Sequence, residues 1–174
     1  TVRRRYDKYG RLIHSEDGNG NATDIGYNLD AGSLTSDDLA TTITTTTPRG
    51  TTVARLEKTR GLTTSLLDVE NAATTTMTYD GYGRLLTLTK PGLQGQQGSP
   101  KSVQYSYQVN ASNSAGPSVV ATTTRRDSTS SDTNWAYLDG WGRTIETQTT
   151  QADGNGRVVS ATAYDELGLP WATM

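Results

Sequence analysis

No cysteine occurs among the 174 residues, which removes disulfides, thiolate metal sites and cysteine nucleophiles in one step and leaves the redox compartment open. Phenylalanine is also absent, and hydrophobic residues make up only 32%. Mean hydropathy is negative, so the composition argues against a conventional layered core even though the length suffices for one domain. No apolar run is long enough to span a bilayer and no signal-peptide pattern opens the chain, so no membrane insertion is expected. A net charge of −2 gives no broad pull toward nucleic acid, and no nucleic-acid partner is expected. The one basic cluster, Arg3 to Arg5, reads as a solvated strand start. His14 is the only histidine. Without a cysteine or second histidine it fits neither a common metal site nor a catalytic triad.

What is present favours extended structure. Disordered chains are poor in β-branched and aromatic residues, whereas Thr is the commonest residue here and nine Tyr accompany three Trp. Four segments repeat one pattern: YDKYGRL from Tyr6 to Leu12, YDGYGRL from Tyr79 to Leu85, LDGWGRT from Leu138 to Thr144, and YDELGLP from Tyr164 to Pro170. Each sets an aromatic or apolar residue before an Asp and a Gly three places after it. Asp hydrogen-bonds its own backbone and Gly supplies positive φ, so a recurring Asp-x-x-Gly between extended runs marks β-hairpin turns. Internal repeats of this kind decide the architecture. The expected fold is all-β, an antiparallel β-hairpin repeat ribbon, forming a single stretch over residues 1–174.

Strands are expected over 11–16, 22–28, 39–47, 51–58, 62–67, 72–79, 84–90, 101–109, from Trp135 through the turn at Asp139 to Gln151, and over 157–164. Leu86 and Leu88 alternate with Thr87 and Thr89, as in a strand with one buried face. Further turns are expected at Asp17 to Asn21, at Pro48 to Gly50, at 128–133 and at Asp153 to Gly156. Loops are expected at 91–100 and 110–117. The one helical hint is the N-cap-like run from Ser36 to Leu39.

The Tyr-Asp-x-x-Gly-Arg-Leu core at Tyr6 and Tyr79 resembles the YD repeat of the Rhs family, also found in the B/C cocoons of Tc toxins and in teneurins. The motif residues are Tyr6, Asp7, Gly10 and Arg11; Tyr79, Asp80, Gly83 and Arg84; Asp139, Trp141, Gly142 and Arg143; and Tyr164, Asp165 and Gly168. The third copy departs from the family pattern with Leu138 in the Tyr position, and the fourth with Leu169 in place of Arg. The resemblance implies a ribbon spiralling into a hollow YD-repeat shell that encloses a toxin or effector domain. Its implied partners are flanking repeats of the same polypeptide and an encapsulated C-terminal toxin domain, in a secreted or cell-surface bacterial protein. Thr1 is not an initiator, so an excerpt of a longer polypeptide is expected. The aspartyl autoprotease common near the end of Rhs shells carries an Asp-Pro-x-Gly motif with no counterpart here.

The motif residues are expected to be structural, each hairpin burying its face on the next, with Tyr offering a flat ring and Arg lying against it. The remaining candidates for chemistry fall away one by one. Asp17 to Asn21 opens like a calcium loop, but Ala22 stands where Gly is required and Asn28 where Glu is required. Asp37 and Asp38 are adjacent and point to opposite sides of an extended chain. Asn21 and Asn110 begin glycosylation-type triplets, which a Thr- and Asn-rich sequence contains by chance. The glycines Gly81 and Gly83 lack the helix a dinucleotide site needs. No catalytic residue, metal ligand or cofactor site is assigned. The rival class is a surface adhesive module binding glycan or protein; a glycoside hydrolase would need two carboxylates facing across a cleft.

Overall fold

The computed structural model describes residues 2–28, 41–91, 102–110, 116–127, 129–151 and 154–174. Ser36 to Leu39, with Asp37 and Asp38, most of the loops expected at 91–100 and 110–117, Ser128 and Asp153 lie outside the described residues.

The chain divides into two compact units, Thr1–Gln96 and Gln97–Met174. The first holds strands β1 (Arg3–Tyr6), β2 (Leu12–Glu16), β3 (Ala22–Asn28), β4 (Thr42–Thr47), β5 (Gly50–Leu56), β6 (Thr63–Asp68), β7 (Ala73–Tyr79) and β8 (Leu85–Thr89). The second holds β9 (Val103–Gln108), β10 (Ser118–Arg125), β11 (Ser131–Leu138), β12 (Thr144–Thr150), β13 (Arg157–Tyr164) and β14 (Pro170–Thr173). Within each unit every strand pairs antiparallel with its neighbour in the chain, a plain meander. The protein is all-β, built of antiparallel hairpins, with no helix among the described residues. Strands β10 and β14 were not anticipated from sequence, and the polar turn expected at 128–133 ends earlier, because Ser131 already pairs with Arg125.

Threonine and other β-branched residues fit a pleated, half-buried surface, and these strands use them in that way. In the first unit, strand pairing lines up Tyr27, Ile43, Ala54 and Leu66 across one face. The opposite face carries threonines such as Thr78 and Thr87, whose hydroxyls lie 2.6 Å apart. In the second unit Trp135 stands beside Gln148 across the pair. The Arg157 guanidinium covers the indole at 3.9 Å from the ring centroid while donating to Gln148 Oε1 at 2.6 Å. Among the described residues no hydrophobic side chain is buried; only the polar Thr41, Thr89 and Ser102 are. Each strand touches only its sequence neighbours, so each unit is a single sheet layer stabilised along its width rather than by a second layer.

Five hairpins carry a one-residue register shift just after the turn: at Arg5/Tyr6, Arg55/Leu56, Thr78/Tyr79, Tyr137/Leu138 and Ala163/Tyr164. One residue of the returning strand is left over in each. In β8 that residue is Leu86, because Thr78 pairs with Thr87 and Tyr79 with Leu85. Leu86 therefore does not share the simple alternation expected of it. A bulge bends its strand and increases the local twist.

Gly142 adopts φ 79°, and a Cβ there would meet nothing within 4 Å, so only the backbone conformation demands glycine. Gly50 is different: a Cβ would approach Glu70 Oε2 to 2.6 Å, because the Glu70 carboxylate reaches across to accept the Thr51 N–H at 2.7 and 2.8 Å. Among the described residues Ala72 is the one non-glycine with positive φ, at 47°. Gly142→Ala is expected to destabilise the second unit by about 1 kcal/mol, the cost of a left-handed residue with a Cβ. Ala72→Gly is expected to stabilise the first unit by roughly 0.5 kcal/mol once the added freedom of the unfolded chain is subtracted. Thermal unfolding of the two variants against the parent measures both signs.

Candidate functional site

The repeated turn is where side-chain chemistry concentrates. At Asp7 the chain closes a type I turn followed by a left-handed glycine: Gly10 N–H donates to Asp7 O at 3.1 Å and Asp7 N–H to Arg11 O at 2.9 Å. The carboxylate fills the loop. Oδ1 accepts the N–H groups of Tyr9 and Arg11 at 2.8 and 2.9 Å, and Oδ2 accepts Arg11 Nε at 2.7 Å. Asp80 repeats the set with Tyr82 and Arg84, and Asp139 repeats it with Trp141 and Arg143. Asp165 keeps the two backbone bonds, from Leu167 and Leu169, and loses the third because Leu169 stands in the arginine position.

The turns at Asp17 and Glu57 use a carboxylate in a related way without the signature motif. Asp17 accepts the N–H groups of Asn19 and Asn21 through Oδ1 and the Asn21 side-chain amide through Oδ2 at 2.8 Å. The signal in the sequence is the Asp-x-x-Gly spacing with an amide donor four residues on. Glu57 anchors a turn one residue longer, with Gly61 N–H on Glu57 O and the Arg60 guanidinium paired with its carboxylate.

Strand parity sorts these turns by edge. In the first unit those at Asp7, Glu57 and Asp80 follow β1, β5 and β7 and so share one edge, while Asp17 follows β2 and lies on the other. In the second unit those at Asp139 and Asp165 follow β11 and β13 and share an edge.

The shared edge is also where one hairpin locks onto the next. Tyr164 donates its hydroxyl to Thr144 O at 2.8 Å, and Arg143 lies over its ring at 4.6 Å. Tyr79 donates to Thr63 O at 2.7 Å, and Arg60 Nη1 of the neighbouring turn donates to Asp80 O at 2.7 Å. Tyr27, outside the motif, donates to Leu12 O at 3.2 Å beneath Arg11 at 4.5 Å. Tyr6 differs from its counterparts: it lies on β1, the first strand among the described residues, and is 55% exposed. At the turn tips, Tyr82 is 88% and Trp141 86% exposed.

The turn carboxylates are held ionised. For Asp7, Asp80 and Asp139 partial desolvation pushes the pKa up, but the backbone N–H and guanidinium of the turn arginine and the N–H at the tip together outweigh it, leaving each below 3.8. Asp17 is lowered mainly by the Asn21 side chain and backbone. Asp127, at the turn before β11, is lowered by the Ser130 hydroxyl and the Thr129 and Ser130 N–H groups. Such carboxylates are poor general acids, and their lone pairs are already committed. A cavity of about 360 Å³ opens beside Asp139, between Asn110, Pro117, Leu138 and Ile145, and Asp139 is the only carboxylate among its described lining residues. His14 Nδ1 pairs with Asp24 Oδ1 at 2.7 Å across β2 and β3. Among the described residues no three His, Asp or Glu side chains cluster so as to hold a metal ion. The chain matches no protein-family model and no curated protein.

Lowered carboxylate pKa values add stability that is fully present above the unfolded value of 3.8 and lost as pH falls through the folded values. The denaturation midpoint is therefore expected to hold from neutrality down to about pH 4 and to fall steeply below it. Replacing Asp7, Asp80 and Asp139 together by Asn is expected to lower the neutral-pH midpoint and flatten that acid limb; an unchanged limb would assign the acid sensitivity elsewhere. For the hairpin lock, Tyr164→Phe is expected to cost about 1 kcal/mol, the value of one hydrogen bond. Tyr6→Phe is expected to cost nothing within error, as read by urea unfolding of dilute protein.

Proposed function

We propose that this chain is a non-enzymatic stretch of an Rhs-type YD-repeat ribbon, whose role is to extend the wall of a shell around a toxin or effector domain. The observation that carries this reading is the hairpin lock: the motif residues spend their polar groups on closing their own turn and gripping the next hairpin. Asp7, Asp80 and Asp139 are saturated by backbone and arginine donors and the Tyr79 and Tyr164 hydroxyls by backbone carbonyls, so little remains for turnover. Single-layer sheets with half-buried faces suit a wall, since they present two broad surfaces and grow by adding hairpins. Bulges repeated on one edge supply the added twist that curves a ribbon. In this proposal the protein is bacterial and secreted or surface-displayed, and its partners are flanking repeats and the enclosed domain.

The test is protease protection in the full-length polypeptide that carries the segment, with a tag on its C-terminal domain. Intact polypeptide is expected to shield the tag. Deleting residues 1–174 is expected to expose it at least tenfold faster, and equal digestion rates would overturn the enclosure reading. The exposed rings of Tyr82 and Trp141 favour one second reading, a surface module that binds glycan by stacking. Glycan-array binding lost on Tyr82→Ala with Trp141→Ala would establish that reading instead.

A further inference from the structure

Three of the four signature turns carry their own arginine, and the fourth does not. At Asp7, Asp80 and Asp139 the second carboxylate oxygen accepts the Nε of the arginine four residues on, at 2.7 Å each time. At Asp165 that place in the chain belongs to Leu169, and both backbone bonds of the turn go to Oδ1. Asp165 Oδ2 therefore has no donor among the described residues, and Asp165 is exposed where its three counterparts are half-buried. Glu166, the next residue, is exposed too and makes no bond to a described residue.

The neighbouring turn shows the same lack on its ring. Where the other turns set a tyrosine two residues after the aspartate, the turn arginine lies over it: Arg11 at 5.0 Å from the Tyr9 centroid and Arg84 at 5.2 Å from that of Tyr82. Arg143 instead lies over Tyr164 while bonded to Asp139, so no cation among the described residues covers Trp141, which is 86% exposed. The two turns sit side by side. They follow β11 and β13 on one edge of the second unit, two strand spacings or about 10 Å apart, and a Cβ on Gly168 would lie 3.0 Å from Arg143 Nη1. Residues 139–143 and 165–169 hold three carboxylates, Asp139, Asp165 and Glu166, against the single guanidinium of Arg143. Between β9 and β10, residues 110–117 add no charge.

We propose that this edge docks an arginine-bearing peptide segment of a partner, one guanidinium taking at Asp165 the place that Arg11, Arg84 and Arg143 take in their own turns and a second lying over Trp141. Both interactions are ones the chain already makes with its own residues, and the excess of negative charge on the edge attracts the ligand. Arginine is preferred to lysine because its planar fork bonds a carboxylate through two parallel N–H groups and also stacks on an aromatic face. This docking rests on two turns of the second unit alone and is independent of the enclosure reading.

The experiment titrates a capped tetra-arginine peptide into the 174-residue chain by calorimetry, with tetra-lysine as comparator. One-to-one binding is expected, about fivefold weaker for tetra-lysine, which forgoes one of the two parallel bonds. Asp165→Asn, which keeps Oδ1 for the turn, is expected to weaken tetra-arginine binding about tenfold, the value of a charge-assisted bond, and Trp141→Leu about threefold. Leu169→Arg supplies the guanidinium within the chain, so it is expected to raise the unfolding midpoint and to weaken peptide binding about tenfold. Asp24→Asn, at an exposed carboxylate of the first unit, is expected to leave binding unchanged. No binding at millimolar peptide, equal binding of tetra-lysine, a Leu169→Arg or Trp141→Leu chain that binds like the parent, or an Asp24→Asn chain weakened as much as Asp165→Asn each overturns the proposal. Should Asp165→Asn lose the parent's circular dichroism, Leu169→Arg and Trp141→Leu decide the matter.

Discussion

A single carboxylate with both oxygens in use is the constraint on which this architecture rests. In the turns at Asp7, Asp80 and Asp139 one oxygen gathers two backbone N–H groups that the turn would otherwise leave to water, and the other fixes the arginine four residues on. Fixing the arginine matters beyond the turn. Held along the sheet edge, the Arg11 and Arg143 guanidinium groups lie over Tyr27 and Tyr164, tyrosines of the strand that follows the hairpin. Local closure and the addition of the next hairpin thus share one network, and charge-assisted bonds of this kind are stronger than neutral ones.

That network compensates for what the composition withholds. Without phenylalanine and without a fully buried hydrophobic side chain among the described residues, stability is spread along the ladder and its cross-strand pairs. In the row Tyr27, Ile43, Ala54 and Leu66 the first three are half-covered by their neighbours on the same face, while Leu66 is exposed. Glu70 clasping the Thr51 N–H shows the same economy on the opposite edge: one turn supplies a side chain that completes the backbone of the adjacent one.

Much of the fold was legible because its signals are local. Asp-x-x-Gly closes bonds between residues three and four apart, so Asp7, Asp80, Asp139 and Asp165 announce turns wherever they stand. Ala22–Asn28 and Arg157–Tyr164 were readable as strands to the residue, the first preceded by such a turn at Asp17 and the second followed by one at Asp165. Less legible was the kinship of Asp17 with Asp7, since Asn21 does by a side-chain amide what Arg11 does by a guanidinium. Leu86 looked like one member of an alternating row, but the register shift after Tyr79 takes it out of the alternation. A bulge is a property of a strand pair, and one strand read alone does not reveal it.

The sequence by itself determined that this protein is all-β, where its signature hairpins turn and that aspartate and glycine shape them, because those features depend on bonds within five residues. Only the tertiary structure decided which turns share an edge, which tyrosine meets which carbonyl and which motif residues are left unmatched. Asp7 and Asp17 make nearly the same turn on opposite edges, since the edge depends on the number of strands crossed. Tyr6 and Tyr164 occupy the same place in the motif, yet Tyr164 reaches Thr144, twenty residues back, while Tyr6 stands exposed. Tyr164 reaches that carbonyl because β13 pairs with β12, and such pairing across the sheet is not written in the motif.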